Sequence, residues 1–85
     1  MIQIFTKDYC PYCVLAKELF ISLWVDYQEI DVTNDSAKLM EIVQISGMRT
    51  VPQIFNGEIK SENLLWGYSD VKTLHDQWKL IELIK

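Results

Sequence analysis

The sequence predicts a single α/β domain in which a four-stranded mixed sheet is combined with three helices, in the order β-α-β-α-β-β-α. Two short apolar runs, at residues 1–5 and 51–55, are rich in the branched and aromatic residues typical of strands. Elsewhere apolar residues recur three and four positions apart, as in helices with one buried face. A chain of 85 residues, 49% of them hydrophobic, can build one core but not two. Residues 1–85 are therefore predicted to form one domain.

The first half of the chain predicts a strand–helix–strand unit. Met1–Phe5 is the first predicted strand, and Thr6–Tyr9 is a polar turn. Pro11 suits the first position of a helix, because that position needs no amide partner. The apolar stripe of this helix consists of Val14, Leu15, Leu19, Phe20 and Leu23. Val25–Val32 is predicted as the second strand, parallel to the first because a helix connects the two.

The second helix is predicted from its caps and its apolar stripe. Asn34 or Asp35 is suited to cap its start, since both side chains accept hydrogen bonds from unpaired helix amides. Gly47 fits the cap at its end. The stripe that this helix buries consists of Leu39, Ile42, Val43 and Ile45.

An antiparallel hairpin is predicted to complete the sheet. Asn56-Gly57 is a strong signal for a tight turn between two strands. Val51–Phe55 is the strand before this turn, and Glu58–Lys60 is predicted to begin the fourth strand. A parallel pair joined to a hairpin gives a mixed sheet, which we expect to carry helices on both faces.

The last helix is predicted near the end of the chain. Ser69 or Asp70 is suited to cap its start. Its inward face is predicted from Val71, Leu74, Trp78 and Ile81, with Ile84 at the frayed end.

The two cysteines of the chain form one motif, Cys10-Pro11-Tyr12-Cys13, directly after the first predicted strand. A disulfide that closes so small a loop removes little entropy from the unfolded chain, so stapling is a poor explanation for the pair. A C-x-x-C at a strand-to-helix turn is typical of a dithiol redox site. Cys10 is the predicted nucleophile, because unpaired amides and the helix dipole at a helix start favour a thiolate. Cys13, one turn into the helix, is the predicted resolving thiol.

Two other interpretations of the cysteines stay open at this point. A structural zinc site needs four protein ligands, and the one histidine, His75, lies far along the chain. The cysteines are also compatible with two inert side chains in the core.

Composition excludes several classes of function. The net charge is −4 and no basic stripe is present, so a nucleic-acid ligand is not expected. The apolar stretches are too short to span a bilayer, and no signal peptide is visible at the N-terminus. With a single cysteine pair and no export signal, the expected location is the reducing cytoplasm, and the expected state is a monomer.

The stretch FTKDYCPYC, followed by TVPQIF and then GYSD, resembles the glutaredoxins, which are small thioredoxin-fold enzymes that use glutathione. The resemblance covers the whole chain in element order. It implies a thioredoxin-like fold and a glutathione-dependent thiol-disulfide oxidoreductase without a metal. Such an enzyme reduces protein disulfides and glutathione mixed disulfides, with Cys10 forming the mixed disulfide with glutathione and Cys13 resolving protein disulfides.

The same resemblance implies a glutathione site. In the family, the peptide bond before the proline at position 52 is cis, and the backbone of Val51 pairs with the cysteine of glutathione. The γ-glutamyl end of glutathione is received by Gly67, Tyr68, Ser69 and Asp70. The implied glutathione-binding residues are Lys7, Tyr12, Thr50, Val51, Pro52, Gly67, Tyr68, Ser69 and Asp70.

Two departures from the family pattern lie beside this site. Trp66 replaces the first of two glycines that usually precede the γ-glutamyl residues, and Ser61–Leu65 lengthens the preceding connection. Trp66 also suggests an alternative function, a glutaredoxin-like redoxin that thioredoxin reductase reduces and that donates electrons to ribonucleotide reductase. Pro11, Tyr12 and Thr50 favour the glutathione-dependent enzyme. A third alternative, an iron–sulfur carrier made of two chains, is disfavoured because a proline at position 11 argues against cluster binding in this family.

Overall fold

A computed structural model describes residues 1–84 of the chain. Lys85, the last residue of the predicted domain, lies outside the described residues. The helices and strands are β1 (Ile2–Thr6), α1 (Pro11–Ser22), β2 (Tyr27–Asp31), α2 (Ser36–Ser46), β3 (Gln53–Asn56), a 3-10 turn (Ser61–Asn63), β4 (Leu64–Trp66), α3 (Tyr68–Asp76) and α4 (Leu80–Ile84). None of these helices has the length and apolar character needed to cross a membrane.

The four strands form one mixed sheet in the order β2-β1-β3-β4. β1 and β2 are parallel, with Ile2 opposite Tyr27, whereas β3 is antiparallel to both β1 and β4. The predicted mixed sheet is confirmed. Because β1 is a central strand, the loop that follows it opens at the middle of one sheet edge, where open α/β sheets place their ligands.

The core has one cluster on each face of the sheet. The larger cluster lies between the sheet and α1, α3 and α4, and its buried members are Ile2, Ile4, Ala16, Phe20, Ile54, Leu65, Val71 and Leu80. The smaller cluster lies under α2 and consists of Phe5, Val32, Ile42 and Phe55. In it, the rings of Phe5 and Phe55 meet edge to face with centroids 5.8 Å apart. The helices therefore cover both faces, as predicted.

The predictions for the first two helices were only partly right. On α1, Val14 and Leu15 are exposed, so their predicted burial was wrong. The buried face instead runs through Cys13, Ala16 and Phe20, which are spaced three and four residues apart. This shift is the local reason that Cys13 points into the protein.

On α2, the predicted caps are confirmed. Asp35 caps the start by accepting a hydrogen bond from the Lys38 amide at 2.9 Å, and Gly47 ends the helix in the left-handed region, with φ 75°. Ile42 is the buried member of the predicted stripe. The others are half-buried: Leu39, Val43 and Ile45.

The fourth strand lies at Leu64–Trp66, so its predicted start at Glu58–Lys60 was wrong. Residues 57–63 form a longer connection, in which the Asn63 side-chain amide donates to the Glu58 carbonyl at 3.0 Å. Glu58–Lys60 alternates charged residues around the single apolar residue Ile59, which packs against the smaller core cluster. The side chain of Ile59 alone buries too little apolar surface to stabilise a strand in this stretch. Leu64 and Leu65, in contrast, both contact the core clusters.

The last helix is divided into α3 and α4, and the prediction that Trp78 points inward was wrong. Trp78 follows the end of α3 in the left-handed region, with φ 61°, and its side chain is 84% exposed. The Lys79 amide donates to the Leu74 carbonyl, which ends the helix in the manner of a Schellman motif. Leu80 enters the core in place of Trp78.

The predicted start of the last helix was also wrong by two to three residues. Gly67 is the N-cap, and Asp70 is the third residue of α3. Asp70 still serves the helix start, because its carboxylate accepts a hydrogen bond from the Gly67 amide at 3.2 Å.

Candidate active site

Cys10 is the N-cap of α1, and Cys13 lies in the first turn of that helix. Cys10 has extended backbone angles, and its Sγ accepts a hydrogen bond from the Cys13 amide at 3.2 Å. Pro11 occupies the first helical position, where no amide hydrogen is needed. Both side chains are free thiols. The sulfur of Cys10 thus sits where helix amides and the helix dipole stabilise negative charge.

The two thiols differ in accessibility. Cys10 is half-buried, whereas Cys13 is 1% exposed. Burial, reinforced by the neighbouring Cys10 sulfur, raises the pKa of Cys13 to about 12. A bulky disulfide can reach Cys10 but not Cys13. This asymmetry agrees with the predicted assignment of Cys10 as nucleophile and Cys13 as resolving thiol.

A groove of about 340 Å³, here called the first groove, opens beside Cys10. Eight of the nine residues in the implied glutathione set line it: Tyr12, Thr50, Val51, Pro52, Gly67, Tyr68, Ser69 and Asp70. The rings of Tyr12 and Tyr68 lie 6.1 Å apart. Met48 also lines the groove, and sequence reasoning missed it because nothing but its position before Thr50 marks it.

The loop before β3 forms the wall of the first groove nearest to Cys10. The Cys10 thiol donates to the Val51 carbonyl at 3.8 Å. The Val51–Pro52 peptide bond is cis, as the resemblance implied. Cys10 therefore lies at one end of the groove, against backbone groups that precede β3.

Gln53 stabilises this loop by hydrogen bonds from inside the protein. Gln53 was not identified from the sequence as a residue of the site. Its side chain is fully buried, and its Nε2 donates to the carbonyls of Met48 at 2.8 Å and Thr50 at 3.1 Å. A buried polar side chain is retained where it satisfies backbone groups. The signal in the sequence was a lone glutamine inside an apolar strand.

The other end of the first groove is the start of α3. The Gly67 amide donates to Asp70 Oδ2 at 3.2 Å, and the exposed Asp70 side chain lines the groove at this end. The first amides of a helix have no partner within the helix, so those at the start of α3 can bind an anion. An exposed carboxylate beside them can bind a cation.

Lys7 does not join the first groove. It lines, together with Cys10, a second groove of about 520 Å³. The second groove is lined mainly by charged residues and the two cysteines: Lys7, Asp8, Tyr9, Cys10, Pro11, Cys13, Val14, Lys17, Glu29 and Asp31. Cys10 thus stands between two grooves of different character.

Trp66 has a backbone conformation that glycine adopts more readily than other residues. Its φ of 71° lies in the left-handed region that favours glycine, and its side chain is 50% exposed. The indole does not line the first groove. It lies over a separate apolar depression with Leu65, Leu74 and Leu83. The departure from the family pattern therefore leaves the groove open.

The variant Trp66→Gly is expected to be less stable by about 1–2.5 kcal/mol. Loss of about 100 Å² of buried indole costs about 2.5 kcal/mol and added chain entropy about 0.5–1, against about 1–2 kcal/mol of relieved left-handed strain. Urea unfolding measures the difference. The KM for glutathione should stay within about twofold, because the indole faces away from the groove. A severalfold change in KM would show that Trp66 contacts the ligand.

The variant Gly67→Ala is expected to fold normally and to bind glutathione less well. Gly67 has a negative φ, and an added Cβ would lie 3.6 Å from the Pro52 carbonyl oxygen and 3.9 Å from Met48 Cε, which are ordinary contacts. The methyl group would occupy the first groove. Crowding of about 1 kcal/mol corresponds to about a fivefold rise in the KM for glutathione. An unchanged KM in the folded variant would place the ligand elsewhere.

The described part of the chain contains no cluster of side chains that could bind a metal ion. Among residues 1–84, no group of three or more His, Cys, Asp or Glu side chains is arranged to hold a metal ion.

A family model described as Glutaredoxin matches residues 2–60 of this chain. The chain belongs to the glutaredoxin family. Glutaredoxin-C2 of Arabidopsis thaliana is 34% identical over 98% of this chain and 74% of its own length. Glutaredoxin 3 of Escherichia coli K12 is 46% identical over 54 residues, which cover 64% of this chain and 65% of that protein. The match to the mitochondrial Glutaredoxin-2 of Rattus norvegicus spans about half of that protein, 52%.

Solved structures show the same fold over nearly the whole chain. The crystal structure of a buckwheat glutaredoxin–glutathione complex superimposes with a TM-score of 0.85 at 30% identity, covering 98% of this chain and 74% of that one. The solution structure of a glutaredoxin from Brucella melitensis gives a TM-score of 0.82 at 34% identity, covering 99% and 87%. The predicted thioredoxin-like α/β fold is confirmed.

Proposed function

We propose that this chain is a glutathione-dependent thiol-disulfide oxidoreductase that reduces protein disulfides and glutathione mixed disulfides through Cys10 and Cys13. The observation that carries the proposal is the first groove. It begins where Cys10 Sγ lies 3.8 Å from the Val51 carbonyl and ends at the amides and carboxylate that start α3. A reactive sulfur therefore stands at one end of a groove whose other end can bind both charges of an amino-acid group.

The first step is attack by the Cys10 thiolate on one sulfur of a substrate disulfide. A bond forms between Cys10 Sγ and that sulfur, the substrate disulfide breaks, and the other sulfur leaves as a thiolate. Cys10 can take this role because its sulfur is accessible and accepts the Cys13 amide hydrogen bond, which stabilises negative charge.

With a protein disulfide, the second step belongs to Cys13. Cys13 loses its proton and attacks Cys10 Sγ, so that the Cys10–Cys13 disulfide forms and the second substrate thiol is released. One glutathione then reopens this disulfide by bonding to Cys10, and a second glutathione removes the first as glutathione disulfide. Two glutathione molecules are oxidised for each protein disulfide reduced.

With a glutathione mixed disulfide, Cys10 alone suffices. The Cys10 thiolate takes the glutathionyl group and releases the substrate thiol, and one further glutathione attacks the adduct. The first groove holds the glutathionyl group during both transfers, so its sulfur stays aligned with the incoming thiolate.

The groove offers partners for two parts of glutathione, the cysteinyl backbone and the γ-glutamyl group. The backbone of Val51, just ahead of β3, can pair with the cysteinyl peptide of the ligand, and the amides at the start of α3 suit the γ-glutamyl carboxylate. The free oxygen of Asp70 suits its amine. The related buckwheat protein has been crystallised with glutathione, which supports the same ligand here.

Two coupled assays test this proposal against the reductase-fed alternative. Turnover of a mixed disulfide is followed with glutathione and glutathione reductase, and separately with thioredoxin reductase, using Cys10→Ser as the blank. The proposal expects turnover in the first assay at a rate at least about tenfold that in the second. Turnover only with thioredoxin reductase would overturn glutathione dependence.

A further inference from the structure

The second groove contains an ion pair between Lys17 and Glu29. Lys17 Nζ lies 3.0 Å from Glu29 Oε2, and the buried Thr6 hydroxyl donates to the same oxygen at 2.7 Å. Lys17 follows Cys13 by one helical turn on the same face of α1, and both residues line this groove. The pair is therefore fixed beside the thiol that must lose a proton in the second step.

Cys13 has a chemical need for a nearby positive charge. Burial raises its pKa to about 12, so the neutral thiol is the stable form near pH 7. The Cys10 side chain also raises this pKa, whereas a hydrogen bond with the Lys7 backbone and, after it, the charge of Lys17 lower it. The Glu29 hydrogen bond raises the pKa of Lys17, so the ammonium remains charged throughout the working pH range.

We propose that the Lys17 ammonium, held in the second groove by Glu29 and Thr6, stabilises the Cys13 thiolate as it forms and thereby sets the rate at which Cys13 resolves a mixed disulfide on Cys10. Lys17 is thus a positioning residue for the dithiol route, acting through Cys13. This inference rests on the proposed resolving role of Cys13.

Several other titratable groups face the second groove from the elements around it. They come from the β1–α1 loop and β2, and they are Lys7, Asp8, Tyr9, Cys10, Glu29 and Asp31. Tyr27 of β2 also lies close enough to Lys17 to act on its charge. The pKa of Asp31 is lowered by hydrogen bonds from Thr33, and that of Glu29 is lowered chiefly by the Thr6 hydroxyl, so both remain anionic near neutrality. Three carboxylates thus face two ammonium groups. Without Lys17, the balance of charge around Cys13 would be more negative, which opposes thiolate formation.

A two-phase reaction with dithiobis(nitrobenzoate) tests the proposal, because its thiolate absorbs visible light. In the first phase, the Cys10 thiolate forms a mixed disulfide with one aryl sulfur and releases one nitrothiobenzoate. In the second phase, Cys13 gives its proton to solvent and attacks Cys10 Sγ, which closes the Cys10–Cys13 disulfide and releases the second nitrothiobenzoate. The ratio of the second-phase to the first-phase rate constant isolates the step at Cys13.

Lys17→Met is expected to lower this ratio about three- to thirtyfold. Loss of a nearby opposite charge reduces the thiolate population about ten- to thousandfold. The thiolate that remains is more basic and therefore more nucleophilic, so the rate falls by only about half as much on a logarithmic scale. Lys17→Arg keeps the charge and should stay within about twofold of the wild type. High salt should move the wild-type ratio toward that of Lys17→Met, because exposed charges are screened.

Lys60→Met is the matched control. Lys60 forms an ion pair with Glu58 at the same distance, 3.0 Å, in the connection after β3 at the other end of the sheet from the cysteines. It should leave the ratio unchanged, and Lys17→Gln replaces Lys17→Met if the latter fails to fold. An unchanged ratio in Lys17→Met, or an equal fall in Lys17→Arg, would overturn the role of the Lys17 charge. A wild-type protein without any second phase would instead overturn the proposed role of Cys13.

Discussion

Replacing Cys10 by serine should abolish the reduction of both protein disulfides and glutathione mixed disulfides, a loss of at least about a thousandfold, because both routes begin with its thiolate. Replacing Cys13 by serine should abolish only the reduction of protein disulfides. The reason is the difference in exposure of the two side chains: Cys10 is half-buried and contacts Val51 at the end of the first groove, whereas Cys13 is 1% exposed. Both activities are measured with glutathione and glutathione reductase, one with a protein disulfide and one with a glutathione mixed disulfide.

Thermal unfolding of the two serine variants is the control, since serine is close in size to cysteine at both positions. The assignment would be contradicted by the reverse pattern, in which Cys10→Ser keeps one activity and Cys13→Ser loses both.

Asp70→Ala should lower kcat/KM for glutathione by about ten- to hundredfold, which corresponds to the loss of a charge-assisted hydrogen bond of about 1.5–3 kcal/mol. The predicted bond joins the second carboxylate oxygen of Asp70 to the γ-glutamyl amine. The first oxygen already accepts the Gly67 amide at 3.2 Å. The measurement is glutathione turnover at fixed mixed-disulfide concentration, with the free energy of unfolding determined in parallel.

Asp70→Asn separates the two functions of this side chain. Its amide oxygen can still accept the Gly67 hydrogen bond and start α3, but the negative charge is lost. We expect near wild-type stability with most of the loss in kcat/KM. Full activity in Asp70→Asn would mean that Asp70 only caps the helix, and would shift support toward the reductase-fed alternative.

The sheet could be predicted because short-range patterns determine most of it. Branched residues mark β1 and β3, and Asp35 and Gly47 mark both ends of α2. The fourth strand was placed too early, because the Asn56-Gly57 turn signal is local whereas the strand depends on which residues reach the core. Trp78 was assigned to the core for a similar reason, since its spacing is helical but the helix ends two residues before it.

The candidate site divides in the same way between local and tertiary signals. Cys10, Cys13 and the start of α3 belong to contiguous motifs, which a sequence displays directly. The Lys17–Glu29 pair joins α1 to β2, and no contiguous motif marks it. Gln53 bonds to backbone carbonyls three and five residues before it, but its burial there depends on the tertiary fold. Lys7 was assigned to the glutathione site by the resemblance to the glutaredoxins. In the structure it lines the second groove and not the first.

The location of glutathione on the protein is the central claim, and NMR of a trapped adduct tests it most directly. In Cys13→Ser, glutathione bonded to Cys10 cannot be displaced from within the chain, so the mixed disulfide accumulates. We predict nuclear Overhauser contacts from the glutathione cysteine to Val51 and from the γ-glutamyl group to Ser69 and Asp70, all in the first groove. Contacts to Asp8 and Glu29 instead would place glutathione in the second groove and contradict the account.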